Sequence, residues 1–511
     1  MIKAKLKNNK IIKTNEFYKL ENKFKKIKEL YISNYDYNGD CNGRYNNPII
    51  DIPKEITNLE YLVIDDHYEY GEIYKIPKTL KKLKKLKLMS CNKIITIPKT
   101  LNKLKELEIS GCNKIYEIPK ELINLEKLKI ECCKNIDEIP NTLINLKYLY
   151  IHNNENIKEI PNTLIKLETL IIIDYYEYIK NIPNNFFNLK KLTLKYCNII
   201  PDIFNLQELK IEYCDNIKEI PNNLINLQKL EINNCKNIKE IPNNLINLQK
   251  LEIKYCKNIK EIPNNLINLQ ELIIIINDNI KEIPNNLINL KELEIDCCDN
   301  INEIPNNLIN LQKLKIEYCD NIKEIPNTFI NLKELETVNC YDIKEIPDIF
   351  IKLKELKLKT NSKNIKILNT LINLKKLEIN NKNIKEIPNI FINLKNLKII
   401  DCYDIKEIPN TFINLKKLEI VNCYDIKEIP KTFINLQKLE IKNGNNIKEI
   451  PKTLINLKYL YNSYYNHIIE NLFSNMKKIK NNKKSNYIKL KNNKSLLKNL
   501  EILNNKILNI K

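Results

Sequence analysis

The sequence contains no tryptophan, only five glycines and only three histidines. With so little glycine, no phosphate-binding loop and no dinucleotide-binding fingerprint can be written. The histidines His67, His152 and His467 are far apart in the sequence and belong to no zinc-binding or Cys/His nucleophile pattern. We therefore identify no catalytic, cofactor-binding or metal-ligating residue, and we expect a protein that is not an enzyme and carries no cofactor.

Arginine is also scarce, since Arg44 is the one arginine among 84 basic residues. Specific nucleic-acid readout is not expected, because arginine supplies the bidentate fork that reads phosphates and guanine. The net charge of +21 is concentrated at the ends: residues 1–29 hold ten Lys and three Glu, and residues 477–511 hold eleven Lys and one Glu. Electrostatic tethering of these ends to nucleic acid or to an anionic membrane is therefore an alternative function.

Long apolar runs are missing as well. No window holds 18 consecutive apolar residues, and the first residues, MIKAKLKNNKIIK, lack the apolar region of a signal peptide. The 15 cysteines are odd in number and most are regularly spaced, which is unlike a disulfide framework. We expect a protein without a transmembrane segment in an intracellular, reducing compartment, the cytoplasm.

What the sequence has in abundance is a repeat of 21 residues, marked by Ile-Pro from Pro77 to Pro451. A period of this length predicts a solenoid, because each repeat is too short to bury its own apolar face. In the repeat at 221–241, Leu230 and Ile232 alternate with polar residues, which predicts one short strand per repeat. Successive strands must run parallel, and the proline excludes a helix interior from the returning segment.

The pattern Leu-x-x-Leu-x-x-Leu-x-Ile-x-x-Cys-x-x-Ile-x-x-Ile-Pro, complete from Leu224 to Pro242, resembles the leucine-rich repeat. This resemblance implies an α/β solenoid shaped as a horseshoe, with a long parallel concave β-sheet and a convex side of extended, 3₁₀ or short helical segments. The Lys, Asn and Ile bias resembles that of uncharacterised leucine-rich repeat proteins of A+T-rich genomes, in giant DNA viruses of amoebae and in social amoebae. If the chain is viral, its compartment would be the host cytoplasm.

One cysteine follows the strand in most repeats, and the resemblance implies that it turns inward and hydrogen-bonds to backbone groups as a structural ladder. The ladder cysteines are Cys91, Cys112, Cys133, Cys197, Cys214, Cys235, Cys256, Cys298, Cys319, Cys340, Cys402 and Cys423. Asn154, Asn277 and Asn361 occupy the same place. Cys41, Cys132 and Cys297 lie off the ladder, and we expect Cys132 and Cys297 to be exposed on the concave face.

The repeats divide the chain into three parts. Residues 1–23 are expected to form a basic N-terminal cap, built as a polar helix, and 24–461 to form about twenty repeats. Residues 462–511 are expected to form a basic C-terminal cap, either a helix or degenerate repeats. The interval between Pro183 and Pro201 is only 18 residues, which predicts a local kink or a tighter loop.

Outward positions of the strands carry Lys, Glu or Asn in most repeats, and the exceptions are candidate contacts for a partner. Tyrosines and aliphatic side chains on a sheet face are typical of interaction hot spots, although frequent tyrosines can also simply pack on their strand neighbours. The candidates are Tyr196, Tyr213, Tyr255, Ile273, Ile275, Ile276 and Tyr318. We expect a monomeric, non-catalytic scaffold that binds an unknown protein partner on its concave face.

Overall fold

The computed structural model describes most of the chain, and all structural statements concern this part. The described residues are 1–14, 16–33, 51–66, 73–360, 362, 369–444, 446–447, 449–462 and 488–489. Two compact units divide the chain, Met1–Leu248 and Gln249–Lys511. Cys41, Asn361 and nearly all of the C-terminal cap expected at 462–511 fall outside the described residues.

The N-terminal unit begins with two antiparallel strands, a 3₁₀ helix and a series of parallel strands. β1 pairs with both β2 and β3 in antiparallel fashion, and β3 to β12 follow one another in parallel. The bounds are β1 Ile2–Leu6, β2 Ile11–Thr14, the 3₁₀ helix Phe17–Lys26, β3 Ile27–Ser33, β4 Tyr61–Asp65, β5 Lys85–Met89, β6 Glu106–Ser110, β7 Lys127–Glu131, β8 Tyr148–His152, β9 Thr169–Ile173, β10 Lys191–Lys195, β11 Glu208–Glu212 and β12 Lys229–Asn233.

The C-terminal unit repeats the same arrangement. Strands β13 to β23 pair in parallel, and the two-residue β24 pairs with β23 in antiparallel fashion. The bounds are β13 Lys250–Lys254, β14 Glu271–Ile275, β15 Glu292–Asp296, β16 Lys313–Glu317, β17 Glu334–Val338, β18 Glu355–Lys359, β19 Lys376–Asn380, β20 Asn396–Ile400, β21 Lys417–Val421, β22 Lys438–Lys442, β23 Tyr459–Asn462 and β24 Ile488–Lys489.

The core of each unit is a stack of aliphatic side chains. In the repeat around β12, Leu230 and Ile232 point inward from the strand and Leu224, Leu227 and Ile238 point inward from the return, all with 0% exposure. Leucine and isoleucine fill these positions in almost every repeat, so each repeat buries its apolar face against its neighbours. This confirms the solenoid with a parallel sheet that the 21-residue period predicted.

The return segments contain turns and extended residues in place of helices. Asparagine side chains there bond to the preceding repeat: Asn247 Nδ2 donates to the carbonyl of Ile225 at 2.9 Å. These bonds between repeats satisfy carbonyls that a helix would satisfy internally. Within the described residues, the 3₁₀ helix at Phe17–Lys26 is the only helix, so the returns are of the extended kind among those that the resemblance implied.

Residues 1–23 also differ from the expected polar helix, because the strands β1 and β2 precede the 3₁₀ helix there. Ile2, Ala4 and Leu6 alternate with lysines and are buried, so β1 extends the core at this edge. The short interval before Pro201 leaves the sheet continuous, since Lys191 pairs with Glu208 and every following residue of β10 stays in register with β11.

Candidate functional site

The outward face of each sheet is formed by the first, third and fifth residues of the strands. In most repeats these side chains are Lys and Glu that pair with each other. Glu231 lies 2.6 Å from Lys229 Nζ and 3.4 Å from Lys210 Nζ, and Lys315 Nζ lies 2.8 Å from both Glu294 and Glu317. Their charges are therefore largely balanced within the face itself.

The pKa values of these groups reflect the pairing. Burial alone would raise the pKa of Glu231, but the ammonium groups of Lys229 and Lys210 hold it below its ordinary value. Burial alone would lower the pKa of Lys315, but hydrogen bonds to Glu294 and Glu317 raise it. Both side chains are thus ionised at neutral pH, and a partner that binds here must compete with existing ion pairs.

Strands β8 and β9 of the N-terminal unit interrupt this pattern. Their outward residues are Tyr148, Tyr150, His152, Thr169, Ile171 and Ile173. None of these side chains is a lysine or a carboxylate, whereas β7 and β10 on either side carry lysines. The sheet of this unit therefore has an uncharged area, two strands wide, with lysines on both sides.

Five aromatic side chains form a row along the carboxyl ends of these strands, and we call it the aromatic row. Its members are Tyr150, His152, Tyr175, Tyr196 and Tyr213. The ring centroids of Tyr175 and Tyr196 are 4.5 Å apart, and those of Tyr196 and Tyr213 are stacked at 5.0 Å. The row brings together two sequence candidates, Tyr196 and Tyr213, with three residues that the sequence analysis did not select.

Polar groups within the aromatic row are unevenly satisfied. His152 Nδ1 lies 3.1 Å from Glu131 Oε1, but its Nε2 is buried and has no hydrogen-bond partner among the described residues. The ammonium of Lys195 lies 5.1 Å from the ring centroid of Tyr213 and 5.6 Å from that of Tyr196. Such cation–π contacts hold the rings in place while their edges remain accessible.

The other candidates lie in the C-terminal unit. Ile273 and Ile275 are outward residues of β14 and are half-buried, and Ile276 directly follows them. Tyr255 and Tyr318 are exposed by 47% and 51%. These residues are separated by strands with charged outward residues, such as Glu292, so they form a less continuous surface than the aromatic row.

The five residues Tyr196, Tyr213, Tyr255, Ile276 and Tyr318 share one backbone conformation. Each has a φ between 51° and 57°, in the left-handed region, and each immediately follows a strand. Other repeats have Ser90, Asn153 or Gly111 at this place. Asparagine and glycine tolerate the conformation, whereas tyrosine and especially β-branched isoleucine do not.

Backbone hydrogen bonds explain why the chain adopts this conformation. The N–H of Tyr213 donates to the carbonyl of Asn233, and that of Tyr255 donates to the carbonyl of Ile275, both at 2.9 Å. The turn then directs the next residue, the ladder cysteine, toward the core. The repeat therefore imposes the left-handed conformation on the residue after the strand, but it does not require a large side chain there.

The ladder side chains are buried between the strands and the returns. The thiol of Cys340 lies 3.3 Å from the carbonyl of Val338 and 3.5 Å from that of Ile316 in the preceding repeat. Asn154 accepts the backbone N–H of Cys133 at 2.9 Å and donates to the carbonyl of Ile130 at 3.2 Å. Asp66 and Asp174 directly follow β4 and β9, one residue before the ladder place, and their burial was not predicted from the sequence.

A family model described as "At1g61320/AtMIF1, LRR domain" matches residues 78–206. This stretch contains the strands β5 to β10, most of them followed by a ladder residue, and each return ends in Ile-Pro. The same unit recurs before and after it. Residues 78–206 are thus similar to a leucine-rich repeat domain.

Solved structures of leucine-rich repeat proteins are similar to this chain at low identity. One is the LRR ectodomain of the Arabidopsis receptor kinase HAESA in complex with an IDA peptide hormone, at 22% identity and a TM-score of 0.42, over 81% of this chain and 80% of that one. Another is the LRR protein LIC12759 of Leptospira interrogans, at 19% identity and a TM-score of 0.41, over 75% of this chain and 92% of that one. No curated protein matches the sequence significantly.

Four thiols in these repeats have a pKa that burial raises. Burial raises the pKa of Cys133 to about 12 and that of Cys340 to about 11. Cys132 and Cys297, expected to be exposed, are half-buried, and burial raises the pKa of both, that of Cys297 to about 12. Protonated thiols are poor nucleophiles and poor metal ligands.

The described part of the chain lacks two further kinds of feature. No three His, Cys, Asp or Glu side chains there come together in a way that could hold a metal ion. The same residues include no helix with the length and apolar character needed to span a membrane.

The residues that sequence reasoning missed had a visible signal. In Tyr148-Leu149-Tyr150-Ile151-His152, the period of two that marks the strand also assigns the three aromatic residues to the outward face. Tyr175 could not be found this way, because it lies after Asp174 in an irregular turn. Its position next to Tyr196 follows from the packing of two repeats.

Proposed function

We propose that this leucine-rich repeat protein is a non-catalytic scaffold that binds another protein on the outward face of its strands, the face expected to be concave. The observation that carries the proposal is the uncharged area on β8 and β9 with the adjoining aromatic row. Most other outward positions carry charged side chains that pair with one another. A surface of aromatic and aliphatic side chains within a polar rim is typical of a binding hot spot.

The aromatic row has two further properties of a binding surface. Tyr196 and Tyr213 are held in the left-handed conformation, where asparagine would be less strained. His152 Nε2 is buried and has no hydrogen-bond partner among the described residues, which costs free energy. The repeat architecture explains neither the large side chains nor the unpaired nitrogen.

The surroundings of the row indicate the chemistry of the partner. Lys129 lies over the ring of Tyr150 at 4.7 Å, and Lys195 lies over Tyr213 at 5.1 Å. Lysines therefore stand at both sides of the uncharged area. We expect the partner to present apolar side chains with carboxylates beside them.

The remaining candidates, Tyr255, Ile273, Ile275, Ile276 and Tyr318, form a second proposed contact surface on the C-terminal unit. Their exposure supports this role, but their separation by charged strands makes them secondary to the aromatic row. A partner that engages both units would gain avidity from two surfaces.

The proposal is tested by capture of partners from the native cell with the full chain as bait, after cross-linking. We expect Tyr196→Ser with Tyr213→Ser to weaken the affinity for the main partner by about 30-fold, the usual effect of losing a hot spot. Tyr255→Ser with Ile275→Ser should weaken it less. The free energy of unfolding should change little in the Tyr196/Tyr213 variant, because these side chains lie outside the core.

A matched control is Tyr341→Ser with Tyr403→Ser. Both tyrosines are exposed and lie after ladder cysteines, in the return and not on the strand face. Capture should be unchanged in this control. Equal capture by the wild type and the Tyr196/Tyr213 variant would reject the aromatic row as the binding surface.

The alternative function, electrostatic tethering by the Lys-rich ends, gives a different result in the same experiment. Binding to nucleic acid or anionic lipid through lysines falls steeply with salt. Deletion of residues 477–511 would abolish such binding, while the serine substitutions would leave it intact. Capture that resists salt and depends on Tyr213 supports the scaffold.

A further inference from the structure

A stripe of exposed isoleucines runs along the return side of the C-terminal unit, one per repeat. We call it the isoleucine stripe; its members are Ile267, Ile288, Ile309, Ile330, Ile351, Ile372, Ile392, Ile413, Ile434 and Ile455. Each exposes between 45% and 53% of its surface. The flanking leucines, such as Leu287 and Leu290 beside Ile288, are fully buried. The core positions are therefore already filled by leucine, and core packing does not explain why isoleucine occupies these exposed positions.

Asparagine side chains fix the backbone of the stripe. Asn310 Nδ2 donates to the carbonyl of Ile288 at 2.9 Å, and Asn331 Nδ2 donates to that of Ile309 at 3.1 Å. The same bond recurs at Asn373, Asn414, Asn435 and Asn456. The isoleucine carbonyls are thus already satisfied, and another apolar surface could cover the stripe without leaving them unpaired.

The size of the stripe is close to that of a dimer interface. Neighbouring strands are about 4.8 Å apart, so ten repeats extend for about 43 Å. Full burial of an isoleucine removes roughly 60–120 Å² from water, so ten half-exposed ones offer about 450 Å². Together with the flanking polar rows, the area of the stripe approaches about 800 Å², the surface that each partner buries in a stable interface. It also reaches the range of the largest apolar patch on a typical monomer.

The rows directly beside the stripe are almost free of charge. On one side the residues are asparagines such as Asn289 and Asn310, interrupted by Lys352. On the other side they are Asn, Thr or Ile, such as Asn286, Thr328 and Ile349. Lysines such as Lys291 begin only beyond the asparagine row. The rows next to the isoleucines can therefore face each other without repulsion between like charges.

We propose that a second copy of this chain packs on the isoleucine stripe, so that the protein dimerises stripe against stripe. Both copies have the same spacing between isoleucines, so the side chains of one copy fit between those of the other along the whole stripe. An α-helix has a pitch of about 5.4 Å and would lose this register within a few turns. The proposal replaces the monomer expected from the sequence and involves a different face from the aromatic row.

The test is sedimentation velocity of the full chain over a wide range of concentrations. We expect the wild type to dimerise, and the triple variant Ile288→Lys, Ile309→Lys, Ile330→Lys to raise the dimer dissociation constant at least a hundredfold. The matched control, Tyr341→Lys, Tyr403→Lys and Tyr424→Lys, adds the same charge at exposed tyrosines off the stripe. It should dimerise like the wild type.

Thermal unfolding by circular dichroism checks that each variant is folded. If the lysine variant unfolds, Ile288→Gln with Ile309→Gln replaces it, with the same expected direction. A wild type that sediments as a monomer at every concentration would overturn the proposal, as would a folded stripe variant that still dimerises. Flotation of monomeric wild type with phosphatidylserine vesicles, lost in the stripe variant, would assign the stripe to a membrane instead.

Discussion

At the scale of single residues, the place after each strand separates what the repeat requires from what it does not. The repeat requires a left-handed φ there, which asparagine, glycine and serine meet at Asn153, Gly111 and Ser90. Ile276 meets it with a β-branched side chain, at a φ of 52°. A β-branched residue in this region is a genuine outlier, and strain of this kind is often retained at functional surfaces.

This strain can be measured by substituting Ile276 with Asn. The left-handed conformation costs most residues about 1–2 kcal/mol, and asparagine largely avoids that cost. After the loss of some side-chain packing, we expect Ile276→Asn to raise the free energy of unfolding by about 0.5–1 kcal/mol. Urea denaturation gives this value directly.

The neighbouring strand residue provides the control. Ile275 is extended and half-buried in β14, so Ile275→Asn should lower the free energy of unfolding, because asparagine is disfavoured in strands. If Ile276→Asn destabilises the chain as much as Ile275→Asn, the left-handed conformation is not a source of strain.

At the scale of strands and returns, the sequence predicted the strands and left the returns open between extended, 3₁₀ and short helical segments. The strands follow from a local signal, because Leu-x-Ile alternates within five residues. The returns depend on bonds between repeats, such as that from Asn247 to the carbonyl of Ile225, which no single window of sequence contains. Ile2, Ala4 and Leu6 also alternate with polar residues, but β1 lies outside the 21-residue repeat on which the strand prediction rested.

The candidate site was likewise predictable from the sequence only in part. Tyr196 and Tyr213 could be selected because they stand where most repeats have a small or polar residue. Their contact with Tyr175 depends on the turn after Asp174, whose carboxylate accepts the N–H of Ile179 at 2.7 Å. That turn has no counterpart among the regular repeats, so its geometry required the structure.

Ion pairing on the outward face predicts a dependence of stability on pH. The pKa values of Glu108, Glu231 and Glu336 all lie below the ordinary value, because neighbouring lysines outweigh the effect of burial. A carboxylate with a lowered pKa stabilises the fold above about pH 4.3, the value in unfolded chains, and this contribution disappears as pH falls through the folded-state pKa. The free energy of unfolding should therefore decline below about pH 4.

Urea denaturation of the wild type and of Glu231→Gln at neutral and acidic pH measures this contribution. The variant should lose less stability on acidification than the wild type, because it no longer has this carboxylate to protonate. Glu303→Gln, at an exposed position in a return, serves as the control and should follow the wild type. Identical acid sensitivity in all three proteins would exclude Glu231 as a contributor.

At the scale of the whole molecule, each repeat contacts mainly the repeats before and after it. Strands β15, β16 and β17 pair only in sequence order, and their core positions carry nearly the same residues. Stability in such a stack is approximately a sum over repeats and their interfaces. One complete repeat should therefore be removable.

Deletion of residues 306–326, one period of 21 residues, joins Pro305 to Asn327 and preserves the order of strand, ladder and return. We expect a folded protein whose Tm is lower by no more than a few degrees. Deletion of 306–315 alone removes about half a period, so it should shift every later inward residue out of register and destabilise the unit strongly. Circular dichroism and limited proteolysis distinguish the two, and equal behaviour would contradict an additive stack.

The asparagine bonds between the returns all have the same direction, since the side chain of a later repeat donates to a carbonyl of the earlier one. The return carbonyls of one repeat therefore receive these hydrogen bonds only when the following repeat, which carries the asparagine donors, has folded. Ribosomes release the chain from the N-terminus, so every newly synthesised repeat can close on one that is already in place. For these bonds, the order of acceptors and donors along the chain suits folding from the N-terminus during translation.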